Sequence, residues 1–230
     1  MRVLEFASFG KRWIKNRKIS PDAFVQCALC TAYYILYGEF GKFNPFFSFV
    51  VDVPGTVSLI LSPFFCEACQ YESVMTKSFF HGRTEAGRSC TTPAAEFAQA
   101  WLQTAMSLPG DIASATGDTN EEEEFENAVG NNQAEKLREL FHKAWNKQQQ
   151  MTRECSKGKG VERHLYGLKC QSLRNYKHAS QSLFNCPAYQ KITNTILSTS
   201  NCGNPSLRLF GFGPVSPEGY GIGYIIKDDR

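Results

Sequence analysis

The spacing of apolar residues predicts a first helix close to the N-terminus. Ser20-Pro21-Asp22 provides an N-cap residue, a proline at the first helical position and an acidic residue in the first turn, a combination typical of a helix start. An apolar stripe with helical spacing follows, and the helix is expected to end near Gly38. The stripe consists of Val25, Leu29, Ala32 and Leu36.

Two further helices are predicted by the same periodicity. Thr92-Pro93 is expected to begin the second helix, and the third is expected from Gln133 to about Cys155. The stripe of the second helix comprises Phe97, Trp101, Ala105 and Leu108. The stripe of the third helix comprises Leu137, Leu140, Phe141 and Ala144.

Short strands are predicted mainly toward the C-terminus. Residues 195–200, 207–212 and 220–226 are rich in β-type residues and lie between turns that contain glycine or proline. A further short strand is expected near residues 77–80. Because helices come first and strands later, the predicted fold class is α/β, a mixed sheet with helices packed on it.

Two segments differ in amino-acid composition from the rest of the chain. Residues 40–67 are aromatic, β-branched and interrupted by prolines. A membrane-spanning helix needs about 20 consecutive apolar residues, and Lys42 and Asp52 leave too short an uncharged run, so no membrane span is predicted. Residues 117–133 are acidic and low in complexity, and they are expected to form a flexible, exposed loop.

Composition narrows the class of protein. The chain has 230 residues, of which 42% are hydrophobic and 20% charged, values close to a globular average. The formal net charge of +3 is too small to indicate a nucleic acid or a membrane surface as partner. Nine cysteines are an odd number and too few for a disulfide scaffold, and the N-terminal residues lack the apolar core of a secretory signal. These features predict an intracellular, reduced protein.

A metal site is the most visible motif that spacing alone suggests. Cys27 and Cys30 form one C-x-x-C pair and Cys66 and Cys69 another, as in many structural zinc sites. The first pair, however, falls inside the predicted first helix and lacks the glycine-rich turn of a zinc knuckle. Buried free cysteines are therefore the simpler interpretation, and no metal site is predicted.

A set of short motifs occurs in order over nearly the whole chain. They are residues 9–15 (FGKRWIK), 19–24 (ISPDAF), 32–34 (AYY), 71–73 (YES), 81–85 (HGRTE), 158–169 (GKGVERHLYGLK), 197–200 (LSTS) and 212–222 (FGPVSPEGYGI). Together they resemble the choline/carnitine acyltransferase family, and within it the C-terminal half of a carnitine acetyltransferase. The resemblance implies a CoA-dependent acyltransferase fold of the chloramphenicol acetyltransferase type, with residues 1–230 forming an incomplete C-terminal domain.

The resemblance assigns four residues to coenzyme A. They are Lys11, Lys15, Asp22 and Ser73. Coenzyme A carries phosphates, and two lysines four residues apart would place both ammonium groups on one helical face, near a helix start. Coenzyme A or acetyl-CoA is expected as a co-substrate, and no bound cofactor is expected.

The resemblance also assigns a carnitine site. Tyr71, Thr84 and Arg163 would hold the carboxylate of carnitine, for which an arginine supplies both charge and directional donors. Choline has no carboxylate, so this arginine favours carnitine. Ser198 would line the site, and Phe212 would face the trimethylammonium group, a cation that a ring face attracts.

Ser200 and Phe210 concern the reaction itself. By resemblance, the Ser200 hydroxyl stabilises the oxyanion, a donor typically worth about 3 kcal/mol of barrier. Phe210 occupies a position where acetyl-specific members have a bulky residue and longer-chain members a small one. The implied function is carnitine O-acetyltransferase-type transfer between acetyl-CoA and carnitine, in a monomeric protein without a nucleic-acid partner. Its compartment, whether cytosol, mitochondrion or peroxisome, stays open.

No histidine of this chain lies in the motif that carries the general-base histidine of the family. In the family it lies in the first of two related domains, within a His-small-x-x-Asp/Glu-Gly motif. None of His81, His142, His164 and His178 occurs in such a motif, and the second and fourth are expected to be exposed. The chain is therefore expected to be inactive alone. The alternative is a non-catalytic truncated fragment that at most binds coenzyme A or a partner, with or without a structural zinc.

Residues 40–67 have no counterpart in the family, in which Tyr37-Gly38-Glu39 would run directly into Ala68-Cys69. The hypothesis is that this insertion is a translated, unspliced intron. Gly41-Lys42 can be encoded across a GTAAG donor, and residues 62–66 by a pyrimidine-rich tract before an acceptor. An exposed apolar loop of this kind would also be unusual in a folded domain.

Overall fold

The computed structural model describes residues 2–37, 50–51, 59–60, 69–108, 126–175, 182–204 and 206–230. Within these residues the helices are α1 (Lys11–Asn16), α2 (Pro21–Tyr37), α3 (Thr92–Ser107), α4 (Asn131–Ser156), α5 (Glu162–Asn175), α6 (Ser182–Asn185) and α7 (Pro187–Thr193). The strands are β1 (Val50–Val51), β2 (Leu59–Ile60), β3 (Cys69–Met75), β4 (Thr84–Gly87), β5 (Thr195–Asn201) and β6 (Tyr220–Tyr224).

The main sheet is mixed and has the strand order β4-β3-β5-β6. β3 pairs antiparallel with β4 and parallel with β5, and β5 pairs parallel with β6. Helices pack on this sheet, so the prediction of a mixed α/β fold is confirmed. The acyltransferase fold type in particular stays a prediction.

Two predicted strands are wrong. Residues 77–80 form the turn between β3 and β4, which the backbone amide of Thr76 closes by donating to the carbonyl of Arg83 at 2.9 Å. The chain must reverse there because β3 and β4 are antiparallel neighbours. Residues 207–212 are irregular. Phe210 and Phe212 lie against Gly223 and Gly221 of β6, but this segment forms no strand there.

The buried face of α2 is not the predicted one. Leu36 is 75% exposed, and Ala32 is exposed as well. The buried residues of this helix are Ala23, Gln26, Cys27, Cys30 and Thr31. These positions also follow helical spacing, and periodicity alone could not decide between two overlapping faces of which one contains a glutamine.

The largest helix contact in the core joins α3 and α4. Ala98 and Ala144 are completely buried, and their small side chains allow the two helices to approach closely. Phe97 and Phe141 pack across this contact with ring centroids 5.2 Å apart. The predicted stripe of the third helix is confirmed, since Leu137 is buried as well.

The acidic segment 117–133 is shorter on its C-terminal side than predicted. Residues 126–129 form a helical turn, and α4 begins at Asn131 rather than at Gln133. Residues 117–125 lie outside the described residues. Within the predicted insertion 40–67, β1 and β2 pair antiparallel with each other, and its other residues also lie outside the described part. Among the described residues, no helix has the length and apolar character that crossing a membrane requires.

Candidate functional site

The structure brings together the three residues that were assigned to a carboxylate. Nη2 of Arg163, in the first turn of α5, lies 3.3 Å from the hydroxyl oxygen of Tyr71 on β3. Nε of Arg163 lies 3.4 Å from the backbone carbonyl of Thr84, the first residue of β4. One guanidinium thus spans two neighbouring strands at an exposed position, and it can present its remaining donors to an anion.

Ser198 and Ser200 lie on the same face of the sheet as Tyr71. Tyr71 is the direct partner of Ser198 in the β3–β5 pair, and opposite residues on neighbouring strands share a face, as do residues two apart along a strand. Ser73 and Ser200 therefore also belong to this face. Ser198 is buried and Ser200 is half-buried.

The two predicted aromatic residues cover the β6 end of this face. Gly221 and Gly223 of β6 are the partners of Ser198 and Ser200. A Cβ on Gly223 would lie 2.7 Å from Cδ1 of Phe210, closer than side chains can approach. Glycines in β6 thus make room for the aromatic segment, in which the rings of Phe210 and Phe212 have centroids 5.8 Å apart.

Three of the residues assigned to coenzyme A lie elsewhere. Lys11 and Lys15 belong to α1, whose start is held by the C-terminal residues: the amide of Lys11 donates to the carbonyl of Lys227 at 2.7 Å. Among the described residues, no hydrogen bond or ion pair joins either lysine to Tyr71, Thr84 or Arg163. Asp22 lies at the start of α2, where its carboxylate accepts a hydrogen bond from the Tyr224 hydroxyl at 2.7 Å.

A buried polar cluster behind the site was not predicted from the sequence. Its centre is Gln26 of α2, which is completely buried. Nε2 of Gln26 donates to the Glu72 carboxylate and lies 3.0 Å from Oγ1 of Thr199 and 2.9 Å from the Tyr224 hydroxyl. Oε1 of Gln26 accepts from Gln70 at 2.6 Å. One side chain thus ties α2 to three strands of the sheet.

Glu72 links this cluster to the strand that carries Ser200. Its carboxylate accepts the backbone N–H of Asn201, the residue after Ser200, at 3.1 Å. Burial and the charge of Asp22 raise the pKa of Glu72 from 4.5 to about 7. Burial and the charge of Glu72 also raise the pKa of Tyr224. Polar residues at strand positions were the only sign of this cluster in the sequence, and that sign does not reveal the partners.

The cysteines of the first C-x-x-C pair are buried. Burial raises the pKa of Cys27 to about 12, and Sγ of Cys30 lies 3.6 Å from Sγ of Cys90. Cys66 lies outside the described residues, and among those described no group of three or more metal-ligating side chains occurs.

Among the described residues, no hydrogen bond joins a histidine to the site residues named above. The structure exposes His81, His142 and His164. The prediction that His142 is exposed is therefore confirmed. Nδ1 of His142 accepts from Nε1 of Trp145 at 3.1 Å on the surface of α4. His178 lies outside the described residues.

Comparison with known proteins identifies the family. Residues 1–230 match the family described as Choline/Carnitine o-acyltransferase, and the chain therefore belongs to that family of acyltransferases. It is 38% identical, over 98% of its length, to the "Putative mitochondrial carnitine O-acetyltransferase" of Saccharomyces cerevisiae. It is 32% identical over 98% of its length to human peroxisomal carnitine O-octanoyltransferase, and 30% identical over 99% to mouse mitochondrial carnitine O-palmitoyltransferase 2. The chain spans 26%, 28% and 27% of the length of these three relatives.

Proposed function

We propose that this chain forms the carnitine, coenzyme A and oxyanion part of an enzyme that transfers an acyl group between acyl-CoA and carnitine. The observation that carries the proposal is the contact of Arg163 with both Tyr71 and Thr84. This group lies on the sheet face that also carries Ser198 and Ser200. The family and the names of the three relatives, all carnitine acyltransferases, support the same reaction.

Carnitine is the proposed acyl acceptor because of the charge at the site. A guanidinium near a tyrosine hydroxyl suits a carboxylate, for which it supplies several N–H donors in a plane. Carnitine has such a carboxylate and choline does not. Phe212, beside Gly221, is proposed to receive the trimethylammonium group on its ring face.

Ser200 is proposed to stabilise the oxyanion of the tetrahedral intermediate. In the forward direction, the carnitine hydroxyl attacks the thioester carbonyl, its proton passes to a general base, and the thiolate of coenzyme A leaves when the carbonyl re-forms. The Ser200 hydroxyl donates to the developing negative charge. The general base is proposed to lie on a part of the polypeptide beyond these 230 residues, since the relatives are about four times as long.

Acetyl or another short acyl group is the proposed substrate. The ring of Phe210 packs on Gly223, the strand partner of Ser200. It therefore lies next to the proposed oxyanion donor, where a longer acyl chain would have to pass. A preference for octanoyl-CoA over acetyl-CoA would contradict this part of the proposal.

Arg163→Met tests the proposal directly. In the protein as expressed at full length, this change removes the cation but keeps much of the aliphatic volume. Loss of a hydrogen-bonded charge predicts carnitine binding weakened about 10- to 100-fold, and coenzyme A binding unchanged, by isothermal titration calorimetry. His164→Gln, a neighbouring exposed residue, is the matched control. Equal effects of both variants, or no binding of carnitine by the unmodified protein, would contradict the proposed function.

A further inference from the structure

Arg88 joins three elements around the proposed carboxylate site. It follows β4 directly, and its Nε donates to one oxygen of Glu162, while Nη2 lies 2.9 Å from the other oxygen of that carboxylate. Nη1 lies 3.1 Å from Oγ1 of Thr195, the first residue of β5. The guanidinium carbon also lies 5.7 Å from the centroid of the Tyr71 ring, within the range of a cation–π contact.

Glu162 is the first residue of α5 and directly precedes Arg163. The two side chains of the pair are only 22% and 21% exposed. A bidentate pair shielded from water is stronger and more directional than an exposed surface pair. It therefore fixes the backbone position from which the Arg163 side chain extends.

Apolar packing does little to hold α5 in place. No described side chain of this helix is buried, and Leu168 and Leu173 are 46% and 53% exposed. The loop before α5 also lies close against β4, since a Cβ on Gly160 would lie 2.2 Å from Cγ of Glu85. Two polar contacts tie the first turn to β4 and the residue after it: the hydrogen bond from Arg163 to the carbonyl of Thr84, and the bidentate Arg88–Glu162 pair, which is the stronger of the two.

We propose that Arg88 and Glu162 are positioning residues, which hold Arg163 and the Tyr71 ring in the geometry that selects a substrate with a carboxylate. The proposal rests on the proposed function, because it names the part of the site that recognises carnitine. Arg88 acts from two sides: it anchors the residue next to Arg163, and its cation lies near the ring whose hydroxyl Arg163 contacts.

The test uses Arg88→Lys, Glu162→Gln and the double variant in the protein as expressed at full length. Lysine keeps the charge of Arg88 but loses the two-pronged geometry. Each single variant is expected to weaken carnitine binding about tenfold, and the double variant no more than either, because both remove the same contact. The ratio of carnitine to choline affinity should fall by the same factor, and coenzyme A affinity should stay within about twofold.

Arg138→Lys provides the matched control, because Arg138 forms an ion pair with Glu126 that is exposed on α4. This variant should leave carnitine affinity unchanged. If Arg88→Lys weakens carnitine and coenzyme A equally, or changes neither, the pair is only structural and the proposal is overturned.

Hydrogen exchange without ligand separates this proposal from the proposed function. Arg88→Lys should accelerate amide exchange in residues 165–169 at least about fivefold, because the start of α5 opens more often. Unchanged exchange would overturn the positioning role, whatever the substrate. Faster exchange in a protein whose unmodified form binds no carnitine would support the positioning role and overturn the proposed function.

Discussion

Glu72→Gln tests whether the polar cluster behind the site favours the protonated form of the Glu72 carboxyl group. Glu72 is 5% exposed, and burial and the charge of Asp22 raise its pKa from 4.5 to about 7. At about 1.4 kcal/mol per pH unit, this difference corresponds to about 3 kcal/mol of folding free energy. Glutamine has the shape of the protonated side chain but does not titrate.

The direction in which stability changes with pH follows from the direction of the pKa change. The folded state binds the proton more tightly than the unfolded state, so the contribution of Glu72 to stability is complete below pH 4.5. It is lost as the pH rises through about 7. Between pH 4.5 and 8.5, Glu72→Gln should therefore gain about 3 kcal/mol relative to the unmodified chain. Any change in hydrogen bonding to Gln26 and Asn201 adds an offset that is nearly independent of pH.

Urea unfolding, followed by tryptophan fluorescence at several pH values, measures this gain. Glu96→Gln, which changes an exposed carboxylate on α3, is the control and should run parallel to the unmodified chain. If the curves of Glu72→Gln and of the unmodified chain also stay parallel within about 0.5 kcal/mol, the reasoning about Glu72 is refuted.

Three further predictions concern the reaction, the core and the gene. In an active full-length form, Ser200→Ala should lower kcat about 100- to 1,000-fold with little change in KM for carnitine, because the lost donor acts on the oxyanion. An unchanged kcat in steady-state assays would exclude this role. Ala144→Leu should destabilise the chain by about 1–3 kcal/mol, measured by thermal or urea unfolding, since the added atoms enter the close-packed contact between α3 and α4. Unaltered stability would show that this contact is loosely packed. Sequencing the transcript through residues 40–67 should reveal a message without this segment, and a message that always keeps it would exclude the intron hypothesis.

Much of the local structure could be predicted from the sequence. The Ser20-Pro21-Asp22 start, the stripe of α4 and the β-type run at residues 195–200 each depend on neighbours close in the chain, and the structure has elements at all three places. The strand β3 was not predicted because its buried positions are occupied by polar residues, such as Gln70 and Glu72, and such a sequence does not resemble a core strand.

The motifs along the chain predicted Tyr71, Thr84 and Arg163 as site residues, and the structure places Arg163 in contact with the other two. Only the tertiary structure decided which face of α2 is buried, that Gln26 joins this helix to Glu72 and Thr199, and that Arg88 lies beside Tyr71. The physical reason is that a helix start or an apolar stripe depends on residues a few positions apart. The partner of a buried polar or charged group, by contrast, is set by packing between segments far apart in sequence.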